Sequence, residues 1–188
     1  MLQRISDYTY SSVASYLYQG FVGGFVWGFA EAGPRALGNR SILADARCVQ
    51  IKDRINGYIK NRMAFQPLAP VCLEEDFDRF FQRPPCDISL EYMLFAVKCK
   101  EEAVTKLPGI LHADHTARVQ VVNQQRNPNL HALLTEFKKY SGVGVLINTS
   151  FNGKGEPIVN TVEQAYNAYR KLDLDFLVMD KFLISNKL

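Results

Sequence analysis

Residues 31–46 combine the residue types that bind anions. Their sequence, EAGPRALGNRSILADA, places two arginines and a serine among glycines and a proline. Gly33 and Pro34 favour an abrupt turn, because glycine tolerates positive φ and proline has a fixed φ. Arg35 and Arg40 offer planar guanidinium donors that match pairs of carboxylate or phosphate oxygens. The segment therefore predicts a loop that binds an acidic small molecule, with a salt-bridged structural turn as the alternative.

A second group of polar residues follows an apolar run later in the chain. In VGVLINTSFNGKGEP, residues 143–157, a predicted buried strand ends in Asn148, Thr149, Ser150 and Asn152. Ligands of α/β folds bind at strand ends, so these hydroxyl and amide groups predict a binding loop. The order of GKGEP differs from that of a phosphate-binding P-loop, and an Asx-rich turn is the structural alternative.

Lys60 lies near the end of a predicted helix over residues 50–61. Apolar residues recur there at helical spacing, which gives the helix one face for the core. A lysine at the C-terminal end of a helix is favoured by the helix dipole, which is a structural role. The functional alternative is that Lys60 enters the same site as Arg35.

Other residues of chemical interest fit binding motifs poorly. His112, Asp114 and His115 could ligate a metal by residue type, but in a loop such residues more often form hydrogen-bonded turns. The glycines of FVGGFVWGF, residues 21–29, are in the wrong order for the dinucleotide fingerprint G-x-G-x-x-G. The four cysteines are spaced singly, which suggests neither a zinc site nor a disulfide framework. We therefore predict no metal site in this chain.

The elements that must position these groups are predicted from periodicity and turn residues. Ser6 or Asp7 would cap a first helix ending at Gly20, and Asn129 would cap a helix running to Tyr140. Further helices are predicted over residues 74–81 and, capped by Thr161, through Lys171. Strands are predicted over residues 21–29, 41–45, 65–73, 92–99, 118–122, 143–147, 176–180 and 181–186. Residues 100–109 are predicted to be a surface connection.

Composition and charge limit the class of protein. The chain has 188 residues, of which 47% are hydrophobic, which is enough for one core and a single domain. Its net charge of +3 is too small to imply nucleic-acid or membrane binding by itself. The sequence contains no signal-type apolar start and no apolar run of membrane-spanning length, so a cytoplasmic location is expected.

Four motifs together resemble one family. They read EAGPRALGNRSILADAR, IKNRMAFQPLAP, HADHTARVQ and INTSFNGKGEP, in that order along the chain. Their order and spacing are similar to those of the C-terminal domain of the NodU/CmcH-type carbamoyltransferases, the family that includes the tobramycin carbamoyltransferase. The resemblance covers about residues 12–184, and four motifs in register are far more specific than any one of them.

The resemblance implies an α/β fold of the YrdC/Sua5 type, with a twisted mixed sheet, flanking helices and an open basic cavity. It also implies an activity, the use of ATP and carbamoyl phosphate to form carbamoyladenylate with release of pyrophosphate and phosphate. Mg²⁺ would normally accompany the ATP. In the family, a preceding Kae1-like domain with a histidine-rich iron site passes the carbamoyl group to a hydroxyl of the acceptor. Residues 1–188 are therefore expected to be a single C-terminal domain, a fragment of a longer two-domain enzyme.

The resemblance also implies roles for particular residues. Arg35 would bind carbamoyl or phosphate oxygens, and Lys60 would neutralise phosphates of ATP or carbamoyl phosphate. Arg118 and Ser150 would hold the adenylate phosphate. Asn148 and Asn152 would orient the nucleotide or the loop itself. Arg40 and Arg62 are the remaining implied binding residues, with a structural role as the alternative for both.

The chain departs from the family pattern at two positions. Gln66 stands where relatives usually have arginine, which removes a charge at a phosphate-binding position, and His115 stands where glycine is common. A charged hydrogen bond contributes roughly 1.5–3 kcal/mol, so nucleotide affinity would fall. The alternatives are thus a nucleotide- or anion-binding module with weakened catalysis and, less favoured by the +3 charge, an RNA-binding YrdC-like domain.

Overall fold

Ten strands and six α-helices occupy residues 4–185, the part of the chain that the computed structural model describes. The strands are β1 (Arg4–Asp7), β2 (Gly23–Val26), β3 (Arg40–Asp45), β4 (Ala69–Leu73), β5 (Val97–Lys98), β6 (Thr116–Ala117), β7 (Gln120–Val122), β8 (Val145–Ser150), β9 (Phe176–Met179) and β10 (Phe182–Ser185). The helices are α1 (Tyr10–Tyr18), α2 (Val49–Arg54), α3 (Phe77–Phe80), α4 (Glu101–Lys106), α5 (Pro128–Ser141) and α6 (Val162–Lys171).

Eight of these strands form one mixed sheet. Their order is β1-β10-β9-β2-β3-β8-β4-β7, and β5 pairs with β6 in a separate two-stranded sheet. The pairs β2–β9 and β4–β7 are parallel, whereas the other neighbours in the large sheet are antiparallel. The mixed sheet with flanking helices confirms the predicted α/β class.

The core lies between the sheet and its helices. Phe25, Ile42, Leu146 and Phe176 are fully buried side chains on the central strands. Helix α1 packs against α5, whose apolar stripe includes the fully buried Phe137, and α6 packs against β2 and β9. Strands buried in this way need no alternation of polar and apolar residues, which explains the continuous apolar runs in the sequence.

The helix α6 confirms the sequence prediction at its start. Thr161 accepts a hydrogen bond from the backbone of Gln164, and the Gln164 side chain accepts one from the backbone of Thr161, which forms a capping box. The two closing strands are also confirmed as the antiparallel pair β9–β10. Residue 186, the end of the last predicted strand, lies outside the described residues.

The predicted caps of two other helices are wrong. Thr9, not Ser6 or Asp7, caps α1 through a capping box with Ser12, because β1 already holds the preceding residues in the sheet opposite β10. Asn127, not Asn129, caps α5 by accepting a hydrogen bond from the Leu130 backbone. In both cases the helix begins where a side-chain acceptor reaches a free backbone N–H.

The middle of the chain departs furthest from prediction. The strand expected over residues 92–99 is reduced to β5, and residues 100–109 contain α4 and a 3₁₀ turn, Pro108–Ile110, rather than a plain surface connection. The strand expected over residues 118–122 begins at Gln120, and Arg118 and Val119 separate β6 from β7. This break releases Arg118 from regular strand pairing.

Strand β8 positions the second polar segment. It continues beyond Ile147 to Ser150, so that Asn148 and Thr149 belong to the strand and not to a loop. Asn148 lies opposite Leu43 of β3 and Ala69 of β4, in the interior of the sheet. Among residues 4–185, no helix is long and apolar enough to cross a membrane.

Candidate functional site

Five separate segments of the chain surround a cavity of about 110 Å³. The residues that line it are Pro34, Arg35, Ala36, Arg62, Pro67, Leu68, Ala69, Met93, Arg118, Asn148, Thr149 and Ser150. Three of these side chains are guanidinium groups, and none of the described lining residues carries a carboxylate. The lining therefore has the charge of an anion site.

Glu31 holds the loop that carries Arg35. One oxygen of its carboxylate, Oε1, accepts hydrogen bonds from the backbone N–H groups of Leu37 at 2.7 Å, Asn39 at 2.7 Å and Arg40 at 3.4 Å. Gly38 has φ 122°, and a Cβ there would lie 2.7 Å from Leu130 Cδ2, so the turn requires glycine. The loop is thus fixed from inside, while the Arg35 side chain remains exposed.

Arg35 lines the cavity, whereas Arg40 is not among the described lining residues. Its side chain is buried, and its guanidinium donates to four backbone carbonyls within the described chain, those of Trp27, Gly28, Asn39 and Asn160. All three guanidinium nitrogens are used in these bonds. This arrangement favours the structural alternative for Arg40, which braces the turn, over the binding role that the resemblance implies.

Lys60 is buried behind Ser150. The helix α2 is followed by a π-helical turn, Ile55–Ile59, which ends at Lys60. The Lys60 ammonium donates to the backbone carbonyl of Ser150, to Ser150 Oγ at 3.3 Å, to the Asn152 carbonyl at 3.0 Å and to Asn152 Oδ1 at 2.8 Å. Lys60 therefore reaches the cavity through Ser150 rather than lining it.

Burial and a neighbouring cation weaken the hold of Lys60 on its proton. Removal from water, and then the positive charge of Arg62, lower the pKa of Lys60 to about 7. The surrounding oxygens are all neutral, so no carboxylate opposes this effect within hydrogen-bond distance in the described structure. An anion placed beside Lys60 would restore the ammonium form.

Arg62 and Arg118 extend the same positive field. Arg62 Nε donates to Asn56 Oδ1 at 2.8 Å, and Arg62 lines the cavity. Burial lowers the pKa of Arg62 and of Arg118, and each is lowered further by a neighbouring guanidinium, Arg118 for the first and Arg35 for the second. Arg118 Nε is buried and has no hydrogen-bond partner among residues 4–185. Cations held near one another in this way favour an anion between them.

The Ser150 and Asn152 side chains form one hydrogen-bonded unit. Ser150 Oγ donates to Asn152 Oδ1 at 2.7 Å, and Asn152 Nδ2 donates to the Glu156 carbonyl at 2.6 Å. Ser150 lines the cavity, whereas Asn152 lies one step behind it next to Lys60. Of the two roles implied for Asn152, these contacts favour the one in which it orients the loop.

Asn148 is almost completely buried and lines the cavity. Its Nδ2 donates to the Ala36 carbonyl at 3.2 Å and to Gln120 Oε1 at 2.7 Å. Its Oδ1 is buried without a hydrogen-bond partner in the described part of the chain, as is Oε1 of Gln66. Gln66 is not among the described lining residues, and its backbone carbonyl accepts a hydrogen bond from Asn56.

The structure thus brings together most of the residues that the resemblance implies. Those that line the cavity are Arg35, Arg62, Arg118, Asn148 and Ser150. Sequence reasoning missed two further residues. Gln120 contacts Asn148, and Met93 lines the cavity and has a positive φ of 54°. Gln120 stands in the HADHTARVQ motif region as a buried polar residue, whereas no sequence signal distinguishes Met93.

The histidine-containing loop forms hydrogen-bonded turns. Thr116 Oγ1 donates to Asp114 Oδ1 at 2.7 Å and lies 3.0 Å from His112 Nδ1. Burial lowers the pKa of His112, because the charged ring is removed from water. Within residues 4–185, no group of three or more His, Cys, Asp or Glu side chains is placed to hold a metal ion.

Comparison with known proteins adds the family. Residues 14–186 match the family described as "Carbamoyltransferase C-terminus". The chain is 44% identical to nodulation protein NolO of Bradyrhizobium diazoefficiens, over 99% of this chain and 34% of that protein. It is 38% identical to the 3'-hydroxymethylcephem-O-carbamoyltransferase of Streptomyces clavuligerus, over 91% of this chain and 32% of that protein. The chain therefore spans about a third of the length of these relatives.

Solved structures show the same fold at low identity. Sua5 of P. abyssi, solved in complex with L-threonine, has a TM-score of 0.64 and 14% identity, covering 92% of this chain and 46% of Sua5. Full-length HypF, solved in a phosphate- and nucleotide-bound form, has a TM-score of 0.60 and 16% identity, covering 99% of this chain and 22% of HypF. The fold is thus of the YrdC/Sua5 type, as predicted. On the match over residues 14–186, the chain belongs to the carbamoyltransferase C-terminus family.

Proposed function

We propose that this chain converts ATP and carbamoyl phosphate to carbamoyladenylate, and that a Kae1-like domain then transfers the carbamoyl group to a hydroxyl. The observation that carries the proposal is the convergence of Arg35, Arg62 and Arg118 on one cavity whose described lining has no carboxylate. Such a site suits a ligand with several phosphate or carboxylate oxygens, because each guanidinium can bind two of them.

The reaction balances in two steps. Water first cleaves carbamoyl phosphate to carbamate and phosphate. A carbamate oxygen then attacks the α-phosphorus of ATP, the bond to the β-phosphate oxygen breaks, and pyrophosphate leaves. Neither step requires a covalent bond to the protein, so the protein must supply positioning and positive charge.

The geometry supports giving these tasks to particular groups. Arg35 is exposed on its rigid loop and is suited to the carbamoyl or leaving phosphate oxygens. Arg118, with an unpartnered Nε among the described residues, and Ser150 would hold the adenylate phosphate. Lys60, whose pKa is lowered to about 7, would take up a proton when phosphates bind and would then offset their charge. Arg62 adds a third guanidinium group to the lining of the cavity.

The relatives support the general part of this proposal, namely a role in carbamoyl transfer and the binding of phosphate and nucleotide. The chain shares its family with proteins named as O-carbamoyltransferases, and its fold with a HypF that was solved with phosphate and nucleotide bound. Mg²⁺ normally supplies charge neutralisation on the phosphates of ATP. Since no described lining residue is a carboxylate, the phosphates themselves would hold such an ion, and Thr149 and Ser150 are the lining residues with hydroxyl groups to offer.

The two-domain organisation is part of the proposal. The relatives are about three times as long as this chain, which leaves room in them for a Kae1-like domain with the iron site. Residues 1–188 would then be the single adenylate-forming domain of such an enzyme. Choice of the acceptor would belong to the other domain.

Pyrophosphate release by the 188-residue chain tests the proposal. We expect release with ATP and carbamoyl phosphate together, and only background release with either one alone. Arg118→Ala should lower the rate by about 100-fold, because one donor to the reacting phosphate is lost. Arg126→Ala is the control, since Arg126 is exposed and pairs with Glu91. Equal rates in both variants would refute the assigned site.

A further inference from the structure

Asn56 is a fully buried amide in the turn that leads to Lys60. It lies in the π-helical turn Ile55–Ile59, where the backbone N–H of Lys60 donates to the carbonyl of Ile55 at 2.8 Å. Single π-helical turns are rare and are frequently found at functional sites. Burying an amide costs free energy unless its polar atoms are hydrogen-bonded, so the partners of Asn56 indicate what it does.

The side chain of Asn56 bonds to the loop that follows it, residues 61–67, which we call the Arg62 loop. Its Nδ2 donates to the backbone carbonyls of Ala64 at 3.1 Å and Gln66 at 2.8 Å. Its Oδ1 accepts from Arg62 Nε at 2.8 Å, and its backbone carbonyl accepts from the Arg62 N–H at 2.8 Å. Carbonyls can only accept and a guanidinium can only donate, so this amide has one orientation.

Few side chains of the Arg62 loop contribute to the core. The exposed members of the loop are Asn61, Met63, Ala64, Phe65 and Pro67. Arg62 and Gln66 are partly buried, and no helix or strand among residues 4–185 includes any part of the loop. The position of the loop therefore depends largely on its hydrogen bonds to Asn56.

The bond to Asn56 occupies only the inner nitrogen of the Arg62 guanidinium. Whereas Nε donates to Asn56, Nη2 makes a long hydrogen bond of 3.4 Å to the carbonyl of Pro67. Arg40 differs, because its guanidinium donates to four backbone carbonyls. The terminal nitrogens of Arg62 can therefore bind a ligand in the cavity that Arg62 lines.

The pKa of Lys60 is sensitive to the position of Arg62. The positive charge of Arg62 is the second cause, after burial, that lowers the pKa of Lys60 to about 7. The oxygens of Ser150 and Asn152 around the ammonium are neutral, and Arg118 is the neighbouring cation that acts on Arg62. Displacement of Arg62 would thus raise the pKa of Lys60.

We propose that Asn56 is a positioning residue, which fixes the Arg62 loop and thereby places the Arg62 guanidinium to bind an anionic ligand. Asn56 is not among the described lining residues of the cavity, so it acts through Arg62. The identity of the ligand as ATP or carbamoyl phosphate rests on the proposed function, whereas the positioning role does not.

Binding of ATP to variants of the 188-residue chain, measured by calorimetry, is the first test. Asn56→Ala and Arg62→Met should each weaken binding by about tenfold, because each removes the charged hydrogen bond of Arg62 to the ligand. The double variant should bind no more weakly than Arg62→Met alone, since two residues that act through one contact are not additive. Asn167→Ala is the matched control, because Asn167 is exposed on α6.

The pKa of Lys60 without ligand is the second test, and it requires neither binding nor turnover. It is measured by NMR on chain containing ¹³Cε-labelled lysine, with the signal identified by its loss in Lys60→Met. The pKa should rise in Asn56→Ala and in Arg62→Met, and should rise no further in the double variant than in Arg62→Met. A merely structural loosening that admits water to Lys60 would add a further rise in the double variant.

Urea denaturation shows which variants are folded. If Asn56→Ala does not fold, Asn56→Ser takes its place, because a single hydroxyl proton cannot serve the carbonyls of both Ala64 and Gln66. The inference is wrong if Asn56→Ala changes neither ATP binding nor the pKa of Lys60, or if its effects are as large in Arg62→Met as in the wild type. If the wild type releases no pyrophosphate but the pKa of Lys60 follows the expected pattern, the proposed function fails and the positioning role stands.

Discussion

Lys60 is the residue at which burial acts most directly on the chemistry of the site. Its ammonium is surrounded by the oxygens of Ser150 and Asn152, and its pKa is lowered to about 7. In the free chain the amine therefore loses its proton at a much lower pH than an exposed lysine does. A bound anion stabilises the ammonium, so it raises the pKa of Lys60 and the bound state holds more protons than the free state above pH 7.

The affinity for ATP should consequently fall as the pH rises from 7.5 to 9. The limit is about tenfold per pH unit, since one proton is taken up on binding. Lys60→Met should bind more weakly at pH 7 and lose this dependence. Calorimetry in two buffers of different ionisation enthalpy measures the proton uptake directly. An undiminished proton uptake in Lys60→Met, with Lys139→Met as the control for an exposed lysine, would contradict this assignment.

Arg35 and Arg40 look equivalent in the sequence but differ in the structure. Arg40→Met leaves the carbonyls of Trp27, Gly28 and Asn160 without their donor, and should lower the free energy of unfolding by about 2–3 kcal/mol. Arg35→Met should leave stability unchanged and weaken ATP or carbamoyl phosphate binding by at least about tenfold. Chemical denaturation and calorimetry on the two variants measure both effects, and a reversed pattern would show that the roles are exchanged.

At the scale of elements, the loop that carries Arg35, which we call the anion loop, depends on an acidic residue that does not touch the cavity. Glu31 accepts three backbone N–H groups from the loop that follows Arg35. Glu31→Ala should free these groups and lower anion affinity by about tenfold, because the arginine is no longer held in place. Calorimetry with ATP measures the loss. Glu163→Ala, which removes an exposed acid from α6, should have no effect, and equal losses in both variants would indicate a general effect of charge instead.

The sequence predicts some elements better than others for physical reasons. Helix α6 has its own capping box at Thr161, so its start is encoded locally. The break at Arg118 and the π-helical turn before Lys60 depend on contacts with distant segments, such as Lys60 with Ser150. Such contacts override local propensity, and single-sequence patterns do not contain them.

At the scale of the whole molecule, the sheet order explains how one cavity gathers residues from positions 34 to 150. Strand β8 lies between β3 and β4. Ser150 therefore pairs with β3 close to the loop that carries Arg35, and Asn148 pairs with Ala69 of β4. Residue types and motifs predicted which side chains carry charge. The sequence alone did not predict how Gln120 orients Asn148 or that Lys60 points inward. Both are set by buried hydrogen bonds between segments far apart in sequence, which only the fold shows.

Direct detection of the adenylate tests the central claim. The 188-residue chain is incubated with ATP and ¹³C-labelled carbamoyl phosphate, and the products are separated and identified by mass spectrometry. We predict an AMP ester that carries the label and appears together with pyrophosphate, and that is absent with Arg118→Ala. Labelled carbon recovered only in carbamate and its breakdown products, with ATP intact, would contradict the account.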